Sequence, residues 1–127
     1  MSETPNYFSA DELKCKCGCE GVNFDLGFLS TINAIRHEAG FSFVVTSAYR
    51  CPNHPIEARK PNGPGAHSTG QAIDIACDGE RALEVIRLAQ KHGIKRIGVQ
   101  QKGSGRFIHL DSCTTAQGFS SPWIWSY

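Results

Sequence analysis

His67-Ser68-Thr69-Gly70-Gln71-Ala72-Ile73-Asp74-Ile75-Ala76-Cys77 is the stretch on which the fold turns. Residues 71–77 read as a strand. Alternation puts Ala72, Asp74 and Ala76 on one face and Ile73, Ile75 and Cys77 on the other. A carboxylate in the middle of an apolar strand is costly unless it is paired or holds a metal. Residues 106–111 repeat the pattern, with Ile108 and Leu110 on one face and Phe107, His109 and Asp111 on the other. If the two strands are neighbours, Asp74 and His109 share a face, and His67 sits just before the first strand at a loop rim.

Outward from these strands the elements follow in order. Ser9-Ala10-Asp11-Glu12 is a capping box that starts a short helix. Leu26, Leu29, Ile32, Ile35 and Ala39 recur every three or four positions and predict an amphipathic helix over 26–39, stopped by Gly40. Residues 41–45, Phe-Ser-Phe-Val-Val, predict a strand. Residues 51–65 carry four prolines and two glycines and predict a long surface loop. A second helix is expected over 80–92, with Leu83, Ile86 and Ala89 inward. A strand over 94–99 and a turn over 102–105 follow. The tail around Trp123 and Trp125 is expected to pack back on the body. Helix, strand, loop, strand, helix and hairpin indicate an α+β fold, with helices on one face of a largely antiparallel sheet.

The chain has 127 residues, which fits a single domain over 1–127. Its 13 basic and 12 acidic side chains leave a net charge of +1, which argues against a nucleic-acid partner. No apolar run reaches the ~20 residues of a membrane span. Met1-Ser2-Glu3-Thr4-Pro5 lacks the basic and apolar regions of a secretory signal, so cytoplasmic synthesis is expected. A monomer is also expected.

Six cysteines are more than an average cytosolic domain carries. Cys15, Cys17 and Cys19 cluster, while Cys51, Cys77 and Cys113 are scattered. A structural ion at Cys15, Cys17 and Cys19 is the less favoured reading, because structural zinc sites usually repeat a cysteine pair downstream. Disulfides stay open, since connectivity is not readable from sequence. Cys77, in an apolar run, reads as a small buried hydrophobe.

Two imidazoles and one carboxylate around an open fourth position form the donor set of a catalytic zinc site. Such an ion acidifies water towards neutral pH. The alternatives for His67, Asp74 and His109 taken singly are a loop histidine, a carboxylate satisfied by backbone N–H groups and a strand histidine bonded to a neighbour.

His67-Ser68-Thr69-Gly70-Gln71-Ala72-Ile73-Asp74, the downstream Phe107-Ile108-His109-Leu110-Asp111 and the upstream Ser47-Ala48-Tyr49-Arg50 resemble the D-alanyl-D-alanine carboxypeptidase family of zinc peptidases. The resemblance implies the hedgehog/DD-peptidase fold and is greatest to the short, phage-type peptidoglycan peptidases. It implies that His67, Asp74 and His109 bind one catalytic zinc. It also implies that Arg50 lies near the substrate carbonyl or carboxylate, with Ser47, Tyr49 and His54 as further substrate-side residues. Many relatives carry a Glu or Asp three residues before the last histidine, where this chain has Arg106. Asp111 is the nearest substitute, either as general acid/base or as a group that only orients a ligand. The implied activity is hydrolysis of an amide bond in the peptidoglycan stem, by a lysis endopeptidase or a carboxypeptidase. A lysis enzyme made without a signal would reach the wall by another route. The alternative is a zinc-containing binding module of the same fold that does not cleave.

Overall fold

The computed structural model describes residues 4–17, 21–60 and 65–127. Five strands, β1 (Val44–Ser47), β2 (Ala72–Ala76), β3 (Arg96–Gln100), β4 (Phe107–Asp111) and β5 (Trp123–Ser126), form one sheet in the order β1-β2-β4-β3-β5. All neighbouring pairs are antiparallel except β3 and β5, which run parallel. β2 and β4 are neighbours, with Asp74 opposite His109 and Ile73 opposite Leu110. On the other side of β4, Gly98 lies opposite His109 and Arg96 opposite Asp111. Because side chains alternate, this register sorts the sheet into two chemistries. Ile73, Ile75, Ile97, Ile108 and Leu110 join the apolar core, while Asp74, Arg96, His109 and Asp111 occupy the opposite face.

The core face is covered by α2 (Leu26–Ala39) and α4 (Gly79–Lys91). Phe28, Ile32 and Ile35 of α2 and Ala82, Val85, Leu88 and Ala89 of α4 are buried with the sheet isoleucines. Each fully buried Leu, Ile or Phe contributes about 1.5–3 kcal/mol. The helix stripes differ from the expected ones, since Leu26 is 78% and Leu83 69% exposed. In α4, Ala82, Val85, Leu88 and Ala89 already form a continuous inner stripe, and Leu83 lies about 100° around the helix from Ala82. The α+β class and the placement of helices on one face agree with the sequence expectation.

Local signals explain the helix ends. α1 (Ala10–Leu13) has the predicted capping box: the Glu12 N–H donates to Ser9 Oγ (3.2 Å) and the Ser9 N–H donates to Glu12 Oε1 (2.9 Å). Asp25 Oδ2 accepts from the Phe28 N–H at 2.7 Å and caps α2, which ends at Gly40 with φ 76°. Among the described residues of the loop over 51–65 lies a short helix, α3 (Pro55–Ala58), capped by His54 Nδ1 accepting from the Ile56 N–H at 3.2 Å.

Two expectations about strands change. The first strand is 44–47, not 41–45, because β2 offers pairing partners to Val44, Val45 and Ser47 only. Phe43 is buried in the core ahead of the strand, against Phe8 and Phe41. The tail does pack back, and it does so as the edge strand β5. Among the described residues, no helix is long and apolar enough to cross a membrane.

Candidate functional site

His67, Asp74 and His109 meet on the polar face of the sheet. Asp74 Oδ1 lies 3.3 Å from His67 Nε2 and 2.9 Å from His109 Nδ1. One donor atom from each of the three residues falls within 4.8 Å of the others, and all three residues are buried. Asp74 and His109 are set by the β2–β4 register. His67 is delivered by a 3₁₀ turn, Ala66–Thr69, that closes on Gly70. Gly70 has φ 77°, and a Cβ there would fall 2.0 Å from the Asn23 carbonyl oxygen. Only glycine meets both demands.

The remaining ring nitrogens are held from behind. His67 Nδ1 is 2.6 Å from the Ala48 carbonyl oxygen, which can only accept, so this nitrogen carries a proton and Nε2 is the ring nitrogen turned to the cluster. His109 Nε2 is 2.6 Å from Asp111 Oδ2. Asp111 Oδ1 accepts from Arg96 Nε (2.7 Å) and from the Cys113 N–H (3.1 Å). A histidine ligand backed by a carbonyl or a carboxylate is the usual arrangement of a metal-binding imidazole.

The charges follow from these contacts. Burial opposes the charge on Asp74, but hydrogen bonds from His109 and His67 outweigh it and hold the carboxyl well below the usual range. Burial likewise opposes the charge on Asp111, and His109 and Arg96 hold it low. Burial works against a charged His109, yet Asp111 and Asp74 raise its pKa above the ordinary value. The cluster is therefore an anionic pair clasping one imidazole. Two nitrogens and one carboxylate oxygen, presented by two sheet strands and the 3₁₀ turn, fit a divalent zinc ion, with room for a fourth ligand. That room is a cleft of about 490 Å³ into which His67, Asp74 and His109 open.

Arg50 lines the same cleft. Its Nε donates to Ser47 Oγ (3.0 Å), one terminal nitrogen donates to Glu57 Oε2 (3.2 Å), and the other lies 3.8 Å from Asp74 Oδ2. Ser47 thus touches the arginine and not the cleft. Tyr49 is buried, with its N–H on the Leu13 carbonyl (3.1 Å), and His54 serves as the α3 cap, so neither lines the cleft. Arg106 points elsewhere: its Nε donates to the Gly103 carbonyl at 2.9 Å.

Sequence reading missed five contributors. Glu57 looks solvated in a Pro-rich loop, yet its side chain is fully buried and accepts from the Gly65 N–H (2.7 Å), Lys60 Nζ (3.1 Å) and Arg50. Arg96 is buried against Asp111 and lies 4.8 Å from the Trp125 ring centre. Trp125 and Tyr127 form a wall of the cleft, with Trp125 5.1 Å from the His109 ring. A Cβ on Gly98 would lie 2.7 Å from the indole, so this glycine makes the space that Trp125 fills. A second, larger cleft of about 600 Å³, lined by Ile86, Ile94, Ile97 and Trp123, holds none of these groups.

The cysteines group differently from the expectation. Cys15 and Cys17 stand together with Cys51, and Cys19 lies outside the described residues. Cys77 packs against the core but is half-buried, short of the full burial expected, and Cys113 is buried near Ala66 and Ala72. Burial pushes both thiols up to about 11.

No curated protein matches the chain. The family described as Peptidase M15 matches residues 6–111, a span that contains His67, Asp74, His109, Asp111 and Arg50. On that match and on the His-Asp-His cluster at the centre of the sheet, the chain belongs to the Peptidase M15 family.

Proposed function

We propose that the protein is a zinc peptidase that hydrolyses an amide bond in the peptide stem of bacterial peptidoglycan, as a short phage-type lysis endopeptidase or as a D-alanyl-D-alanine carboxypeptidase. The observation that carries this reading is the convergence of His67, Asp74 and His109 at the base of a cleft that Arg50 also lines. His67 Nε2, Asp74 Oδ1 and His109 Nδ1 are the atoms that would hold the ion. When bound, zinc supplies Lewis acidity to a carbonyl and makes water a nucleophile near neutral pH.

The chain's own groups do the rest. Arg50 is held by Ser47 and Glu57 so that its guanidinium is fixed before substrate arrives. It is suited to neutralising a developing oxyanion or gripping a peptide carboxylate. Asp111 has one oxygen on His109 and the other on Arg96 and the Cys113 N–H. Those bonds support the orienting role for Asp111 over proton transfer. Trp125 and Tyr127 line the same cleft, with the Trp125 ring beside His109.

The test is release of new amino groups and of free D-alanine from purified peptidoglycan, with zinc and with a chelator. New amino groups without D-alanine identify an endopeptidase, and D-alanine release identifies a carboxypeptidase. Chelator-resistant release sinks the zinc reading. One observation favours a second reading. Among the described residues lining the cleft, Asp74 is the only carboxylate, and Arg106 stands at the position where many relatives carry an acid. Zinc binding and stem-peptide binding with no cleavage would identify a binding module of this fold.

A further inference from the structure

We propose that Cys15, Cys17 and Cys51 form a second metal site, structural in role and suited to zinc, where the segment after α1 meets the chain just past Arg50. This site is separate from the His-Asp-His cluster and does not depend on the peptidase reading. The three sulfurs form a compact triangle: Cys15 to Cys17 is 3.3 Å, Cys17 to Cys51 is 3.3 Å and Cys15 to Cys51 is 3.6 Å. Zn–S bonds of about 2.3 Å at tetrahedral angles put ligand sulfurs about 3.8 Å apart, so a small expansion of the triangle seats the ion. A disulfide needs about 2.05 Å between two sulfurs, and here three are nearly equidistant.

The backbone around the triangle is already fixed. The Cys51 N–H donates to Cys15 Sγ at 3.3 Å, as second-sphere donors do to sulfur ligands. The Cys15 N–H bonds the Gly21 carbonyl at 2.9 Å, which holds Gly21 beside Cys15. The Tyr49 N–H bonds the Leu13 carbonyl at 3.1 Å, which lays the segment after α1 against the exit of β1. Cys15 is buried and Cys17 is exposed, so the ion would enter from the solvent side. An all-sulfur donor set selects a soft or borderline ion over magnesium or calcium, and zinc is the redox-inert choice for a structural role.

The placement gives the ion a task. Cys51 directly follows Arg50, and 36 positions separate Cys15 from Cys51. Joining them removes chain entropy from the unfolded state and pins one end of the Pro-rich loop. Glu57 lies on that loop, and Arg50 stands immediately before it. The structural ion would therefore hold the cleft's arginine in place without touching the cleft.

The test uses the full chain with both histidines of the first site replaced, H67A/H109A, purified anaerobically with reductant. Titration with Co²⁺ should give thiolate-to-cobalt charge-transfer absorption that saturates at one equivalent and is bleached by Zn²⁺. Adding Cys51→Ser should weaken zinc binding at least tenfold in competition with a chromophoric chelator, and Cys77→Ser should leave it unchanged. Should the double histidine variant not fold, the otherwise unaltered chain should bind two zinc ions and show the same cobalt band. The proposal is overturned if that band is absent from both proteins. It is equally overturned if Cys51→Ser binds zinc as tightly as its parent, or if the anaerobic protein contains a disulfide among the three.

Discussion

The ring of His109 bridges two carboxylates: Nδ1 lies 2.9 Å from Asp74 and Nε2 lies 2.6 Å from Asp111. Only one of these contacts faces the cleft, so the two aspartates have different work. Asp111→Asn keeps the volume but offers His109 and Arg96 a weaker, misordered partner. Zinc affinity should fall about 10–100-fold, as for other partners of metal-bound histidines. Turnover should recover at saturating zinc. Unchanged zinc affinity with lost turnover in a competition titration would instead make Asp111 the proton-transfer group.

Arg50→Lys keeps a charge but loses the planar fork that Ser47 and Glu57 hold in register. Peptide-bond cleavage should drop about 10²–10³-fold, the range seen when one oxyanion donor is removed. Zinc content should stay as in the parent. Steady-state kinetics with a stem peptide and metal analysis of the same preparation check both halves.

Glu57 joins Arg50, Lys60 and the Gly65 N–H. Burial opposes its charge, but these partners win and hold its pKa below the model-peptide range. A lowered pKa gives stability that is present above the unfolded value of about 4.3 and is lost as pH falls through the folded value. Glu57→Gln should cost about 3–5 kcal/mol at pH 7, because two cations lose their buried partner. It should cost much less in strongly acidic solution. Urea denaturation of both proteins across that pH range measures the difference.

The metal-free site has its own pH signature. Asp74 and Asp111 are lowered, so their contribution to stability is present above about pH 3.9 and is lost as pH falls. His109 is raised, so its contribution is complete below about pH 6.5 and is lost as pH climbs through its folded value. Chelated protein should be most stable between those limits. Zinc must expel the His109 proton, so zinc should stabilise more as pH increases through that range. Thermal melts with chelator and with zinc, from pH 4 to about pH 9, check the crossing trends.

Gly98→Ala places a methyl 2.7 Å from the Trp125 indole. The indole must move off His109 and Arg96, at a cost of about 1–3 kcal/mol. A lower unfolding midpoint together with a shifted tryptophan emission spectrum is the expected pair of readouts. An unchanged spectrum would mean that the wall yields elsewhere.

What was legible in the sequence was whatever is encoded within a few residues. The capping box at Ser9, the bounds of α2 at Leu26 and Ala39 and the two-sided alternation around Asp74 and His109 are all local patterns, and all are present. Asp74 and His109 followed from that alternation once the two strands were taken as neighbours, and His67 was read at the loop rim just before β2. Contacts between distant segments were not legible. Nothing in Trp123-Ile124-Trp125 announces a strand parallel to β3, because its partner is set by the packing of the sheet. Glu57 and Cys51 sit in a loop whose prolines signal exposure, and only the folded chain brings them to Arg50 and to Cys15. Leu26 and Leu83 mislead for the opposite reason, being apolar residues at helical spacing that face solvent.

The pairing of Asp74 with His109 also limits how such a protein can vary over evolutionary time. Inserting or deleting one residue within β2 or β4 would turn the aspartate or the histidine into the isoleucine layer and send isoleucines out to the cleft. Core and chemistry would fail together, with no intermediate in which one survives. Descendants of this sequence can therefore exchange side chains along the two strands, but their length is frozen, and novelty in substrate choice has to come from the segments between them.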